Sequence, residues 1–122
     1  MDRRKLVFFV TADPATGASR VTSAYHLALA AAASGLQAEV RLAGDAVLVA
    51  DPAYVATLGA GQVLRRQADQ ARRDGVAVSV CPRSMADRGV GAGQVAAIGA
   101  VPRLLGEVLV EVAEGRSVLV AL

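Results

Sequence analysis

Gly75-Val-Ala-Val-Ser-Val-Cys-Pro-Arg-Ser-Met-Ala-Asp-Arg-Gly-Val90 is the stretch that decides the fold. Val76 to Val80 is a short apolar run of β-forming residues, and Cys81-Pro82 ends it. Proline suits the first turn of a helix and glycine its left-handed stop, so a short helix is predicted over Arg83 to Arg88, closed by Gly89. A strand running straight into a helix is the building unit of a parallel α/β sheet.

The same alternation extends in both directions. Leu6-Val-Phe-Phe-Val10 is a continuous apolar run, as expected of a strand buried on both faces. A polar turn from Thr11 to Gly17 follows. An Ala-rich helix then runs from about Ala18 to Ser34, with Val21, Ala24, Tyr25, Ala28, Leu29 and Ala32 as its buried stripe and Gly35 as its stop. Gln37 to Leu42 alternates and reads as a second strand. Ala46 to Ala50 has the composition of a strand or of one helical turn over the sheet; enclosure by Gly44-Asp45 and Asp51-Pro52 favours the turn. A helix starting at Thr57 or Gly59 is predicted to reach Asp74. It buries Val63, Leu64, Gln67, Ala68 and Ala71 and turns Arg65, Arg66, Arg72 and Arg73 outward. The glycine-rich segment from Val90 to Ala100 predicts a loop with a helical turn near Gln94 to Ile98. Pro102 is expected to open a last helix with the stripe Leu104, Leu105, Val108, Leu109 and Val112, before a final strand from Ser117 to Ala121. The expected fold is one three-layer α/β domain over residues 1–122, with a mainly parallel sheet of about five strands and helices on both faces.

Composition narrows the function. At 122 residues the chain fits a single domain that buries roughly two thirds of its unfolded surface without staples. Hydrophobic residues make up 54% of it, yet there are only two Phe, two Tyr and no Trp, so the core is aliphatic and base-stacking platforms are not expected. The net charge is +2, and the arginines are dispersed; the longest basic run is Arg3, Arg4 and Lys5. These charges read as solvated faces, with no nucleic-acid footprint. The first strand is too short to be a membrane span or signal core, and one cysteine rules out an internal disulfide. A soluble protein of a reducing compartment, the cytoplasm, is expected, with no membrane partner, no metal and no cofactor.

In open parallel sheets, ligands gather outside the carboxyl ends of the strands. Two turns have that address. The turn after the third strand holds Cys81, which a helix start and its free N–H groups would favour as thiolate; Arg83 and Ser84 supply charge or hydrogen bonds beside it. Cysteine is also among the most buried residue types, so inert packing is the competing account. The first turn contributes Thr11 and Asp13, with Thr16, Gly17 and Ser19. That is the composition of an anion cradle and equally of a turn with an N-cap at Thr16. It lacks dinucleotide and phosphate-loop fingerprints. His26 is the only histidine, on the first helix, and Glu107, Glu111 and Glu114 read as the solvated face of the last one.

The chain resembles the DsrE/DsrF-like family, which includes sulfur-relay subunits of the TusD and DsrE type. Three segments carry the resemblance: the opening strand with Asp13-Pro14, Arg20 and the helix ending in Ser34-Gly35; Gly44-Asp-Ala-Val47; and Gly75 to Val90 with its Cys81 and Arg88-Gly89 pair. The resemblance implies homo-oligomers, trimers or hexamers, or assembly with sister subunits. It also implies that Cys81 accepts sulfane sulfur as a persulfide from a donor protein and passes it to an acceptor. Several members carry a second cysteine three residues on. Ser84 stands there in this chain, which favours carrier chemistry over a redox cycle.

Overall fold

The computed structural model describes residues 4–122; Arg3, first of the basic run, lies outside them. Five strands, β1 (Lys5–Val10), β2 (Ala38–Leu42), β3 (Ala77–Val80), β4 (Val101–Pro102) and β5 (Ser117–Ala121), form one sheet in the order β4-β3-β2-β1-β5. Every pairing is parallel. The helices are α1 (Ala18–Ala33), a 3₁₀ helix (Gly44–Ala50), α2 (Pro52–Ala56), α3 (Gly61–Arg73), α4 (Pro82–Arg88), α5 (Ala92–Ala97) and α6 (Leu105–Ala113). Among the described residues no helix is long and apolar enough to cross a membrane.

The two faces of the sheet are built differently. Phe8, Val10, Val40, Leu42, Val78 and Val80 point into one aliphatic core with Val21, Ala24, Tyr25 and Ala28 of α1 and Leu64, Ala68 and Ala71 of α3. Val90, Val95 and Ala100 extend that core around α5. The alternate residues turn to the other face. In register there, Val7 lies beside Glu39, Phe9 beside Arg41, and Arg41 beside Ser79. Among the described residues, α6 is the helix that crosses this face.

Several sequence expectations need correction. Glu39 and Arg41, read as members of a solvated face, are 2% and 0% exposed: β2 is central in the sheet, and α6 with its leading loop closes over it. Glu111 is likewise turned inward, paired with Lys5 and Arg103, while Glu107 and Glu114 are exposed as expected. Pro102 does not open the last helix. It ends the edge strand β4, where a missing N–H costs nothing, and the helix starts at Leu105. Of its predicted stripe only Val108 is fully buried; Leu104, Leu105 and Leu109 face outward, because the sheet surface under α6 is polar.

The helix predicted from Thr57 or Gly59 is α3, which starts at Gly61, and a separate short helix, α2, precedes it. Asp51 caps α2 by accepting from the N–H groups of Ala53 and Tyr54, at 3.1 and 3.3 Å. α3 then begins with Gly61, packed against the carbonyl of Val55. Gly17, not Thr16, stands before α1. Val63 is more exposed than its stripe implied. The 3₁₀ helix agrees with the helical reading of Ala46 to Ala50.

A methyl group at Gly61 would collide with the Val55 carbonyl, whereas one at Gly93 in α5 meets open space. Gly61→Ala is expected to cost about 2 kcal/mol. Gly93→Ala is expected to gain about 0.5 kcal/mol from reduced chain entropy. Urea denaturation of the two variants beside the parent measures both.

Candidate functional site around Cys81

Strand alternation places Ser79 and Cys81 on the α6 side of the sheet and Val80 in the aliphatic core. The N–H of Cys81 donates to the Leu42 carbonyl at 3.0 Å, which ties it to the end of β2. Its carbonyl receives the N–H of Met85 at 3.0 Å as α4 begins. Cys81 is partly exposed and lines a cavity of about 880 Å³. Pro82, Leu104, Leu105 and Val110 make that cavity largely apolar, and Arg83, Arg103 and Arg116 with Glu107 and Glu111 add charge of both signs to it.

The Ser84 hydroxyl and the backbone N–H groups of Ser84 and Arg83, at the start of α4, each favour the anionic form of the sulfur. The Ser84 oxygen has a second contact. The N–H of Gly44 donates to Ser84 Oγ at 2.9 Å, which leaves the serine proton free to turn toward the sulfur. Gly44 sits at φ +54°, in the left-handed region, with its open side against the Thr11 backbone. Glycine is the residue that adopts this conformation without strain. A line of contacts therefore runs from Thr11 through Gly44 and Ser84 to Cys81. Arg88 secures it from outside: its Nε donates to Asp45 at 2.8 Å, and Nη1 reaches the Ser84 carbonyl at 3.4 Å.

Partial burial is the largest single influence on the Cys81 thiol and pushes its pKa up. The Ser84 hydroxyl, the two N–H groups and the Arg41 charge together outweigh burial, so the net shift is downward. This is the electrostatic profile of a thiolate-forming cysteine.

The other sequence candidates separate. Arg83 stands on the rim of the Cys81 cavity, and Ser84 is buried beneath the sulfur. Thr11 touches the site through its backbone at Gly44. Asp13 does not line the cavity. Its Oδ1 accepts from the Tyr54 hydroxyl at 2.6 Å and from Ala15 N–H at 2.8 Å, which lowers its pKa and braces the first turn against α2. His26 is exposed on α1. Among the described residues, no three His, Cys, Asp or Glu side chains come together as metal ligands.

Sequence reasoning missed the charged cluster beneath α6. Glu39 accepts from Lys5 Nζ at 2.8 Å, Arg103 Nη1 at 2.9 and 3.1 Å, and Ser79 Oγ at 2.6 Å. Glu111 pairs with Lys5 at 3.1 Å and with Arg103, and receives the Ser117 hydroxyl at 2.9 Å. A usable signal was present in Glu39-Val-Arg41. Two charges on a strand flanked by apolar strands on both sides must find partners if buried.

Ser84→Ala is expected to raise the Cys81 pKa, slow its alkylation near neutral pH, and cost about 1 kcal/mol by leaving the Gly44 N–H unpaired. A second expectation concerns stability. The folded thiol titrates below the unfolded one, so its contribution is complete above the unfolded pKa and is lost as pH falls through the folded pKa. Between about pH 7 and 9 the parent should gain stability relative to Cys81→Ser as pH rises. Denaturation midpoints across that range test the sign.

Comparison with known proteins agrees with this fold. The fold is similar to that of a conserved protein of unknown function from Bacteroides thetaiotaomicron. The TM-score is 0.74 and the identity 20%, covering 97% of this chain and 94% of that one. It is also similar to the ychN protein from E. coli, with TM-score 0.73 and 18% identity over 98% and 99% of the two chains. Among curated proteins none matches. The family model described as DsrE/DsrF-like matches residues 5–121, nearly the whole chain, and the protein therefore belongs to the DsrE/DsrF-like family.

Proposed function

We propose that this protein is a sulfur carrier that accepts sulfane sulfur on Cys81 as a persulfide and passes it to a partner. The observation that carries the proposal is the place of Cys81, partly exposed at the start of α4 and lining a cavity, where the Ser84 hydroxyl, the neighbouring amides and the Arg41 charge favour its anion. The thiolate attacks the outer sulfur of a donor persulfide, R–S–SH. A bond forms between Cys81 and that sulfur, the donor S–S bond breaks, and R–S⁻ leaves with the electron pair. No external oxidant or reductant is needed. Transfer onward repeats the step with an acceptor thiolate attacking the outer sulfur on Cys81. Ser84, at the place of a second cysteine, cannot cut this cycle short by forming a disulfide. A free thiol of this kind calls for a reducing compartment such as the cytoplasm.

The donor and acceptor are read as proteins, because the cavity is wide and walled by Leu104, Leu105 and Val110 rather than shaped around a small polar ligand. The same residues belong to an exposed apolar surface with Val101, Leu109 and Leu119. Other copies of this chain, in a trimer or hexamer, would cover it, as would a sister subunit. A binding module of the same fold, in which Cys81 merely lines the cavity, is the alternative that this apolar lining favours.

Incubation with a sulfane donor followed by intact mass is expected to show the addition of one sulfur, removable by reductant and absent in Cys81→Ser. No added mass in the parent would leave the binding module. Independently, sedimentation should show an oligomer that Leu105→Asp with Leu109→Asp dissociates; a parent that sediments as a monomer at all concentrations removes the assembly proposal.

A further inference from the structure

The buried part of the charged cluster under α6 does not balance. Lys5 and Arg103 are matched there by Glu39 and Glu111, two cations against two carboxylates, and the third carboxylate, Glu107, stands in solvent against Arg103. Arg41 is a third cation, fully buried, and it has no carboxylate. Its Nη1 donates to the Arg103 carbonyl at 2.5 Å and to Ser79 Oγ at 3.4 Å, both neutral acceptors. Ser79 in turn gives its own proton to Glu39. Nε and Nη2 of Arg41 have no hydrogen-bond partner among the described residues. These two nitrogens form one edge of the guanidinium, the edge that ordinarily grips an anion. A buried cation left in this state is costly, and such charges are normally paired.

Cys81 lies where the missing anion is needed. Arg41 is opposite Ser79 in register, and Cys81 follows two residues later on the same face. The Cys81 N–H is bonded to Leu42, the residue next to Arg41. The other charged groups around this point are already engaged or stand in solvent. Glu107 of α6 is exposed and approaches Arg103 Nε at 3.5 Å; Arg116 is exposed and pairs with Glu114; Arg83 of α4 is exposed on the rim and makes no ion pair among the described residues.

We propose that Arg41 is the buried counter-cation of Cys81, and that the buried part of the cluster is built one anion short so that the charged sulfur, as thiolate or persulfide, completes it. Arg41 is a positioning residue acting from its buried place on β2, outside the cavity lining, not one that touches the incoming donor. The charges of Arg41 and Cys81 each favour the ionised form of the other. The inference rests on reading Cys81 as an anionic sulfur centre; it does not require that sulfur be transferred.

The test is the pH profile of Cys81 alkylation by iodoacetamide. Arg41→Gln should move its midpoint upward by about one unit, which makes labelling about tenfold slower below the midpoint. Arg41→Lys should restore most of the shift, and Arg83→Gln, in solvent, should move it far less. A folded Arg41→Gln variant with the parental midpoint overturns the proposal. If that variant does not fold, the parent chain decides. The Arg41 Nε–H resonance should show an inflection at the Cys81 midpoint that vanishes in Cys81→Ser, and a flat resonance overturns the proposal. A midpoint shift in a protein that takes up no sulfur would uphold the counter-charge and remove the carrier function; sulfur uptake without the shift would do the reverse.

Discussion

The carboxylate of Glu39 holds the polar half of this molecule together. It sits on a central strand and receives Lys5 from β1, Ser79 from β3 and Arg103 from the segment after β4. Four parts of the chain thus meet at one buried group. Buried ion pairs are weak evidence for stability, since apolar packing of similar volume often does as well. Their directional effect is stronger. A one-residue slip of β2 against β1 or β3 would carry Glu39 and Arg41 into the aliphatic core. The network therefore pins the register of the sheet, while the hydrophobic contribution comes from the opposite face with α1 and α3.

That division of labour explains where an ionisable thiol can be. A thiol following Val80 on the core side would be enclosed by Val, Leu and Ala side chains, where ionisation is disfavoured. One residue later the chain faces the polar side. There Cys81 meets Ser84, the amides at the start of α4 and the charge of Arg41. The parity of one residue in β3 separates an inert cysteine from an ionisable one. Gly44 adds the second constraint, because its N–H occupies a lone pair of the serine oxygen and leaves the hydroxyl proton free for the sulfur.

The layered architecture was legible because strand and helix periods are local properties. Val76 to Val80, Leu6 to Val10 and the glycine stops needed no knowledge of partners. Cys81, Arg83 and Ser84 were legible for the same reason, as neighbours at one strand end. What the chain hid was non-local. β4 is two residues long and carries no periodic signal. The alternation of Glu39 and Arg41 is the pattern of a half-solvated strand; nothing within β2 says that a loop and helix more than 60 residues away will close over it. α6 misled in the opposite sense. Its leucines have core composition, yet the sheet beneath them is occupied by polar groups, so they remain outside.

The exposed leucines and the buried charges are consequences of one arrangement. A helix crossing a charged sheet face can turn only a narrow apolar edge inward, and Val108 is that edge. The remaining apolar surface of α6 then lies beside the Cys81 cavity, and Leu105 and Val110 belong to both. Anything that covers the leucines must also approach the sulfur. Water exclusion by such a partner would strengthen the field of Arg41 at Cys81, because charge interactions grow as the local dielectric falls. The anionic sulfur would thus be held most firmly when a partner is seated over it, the geometry that direct transfer between two proteins requires.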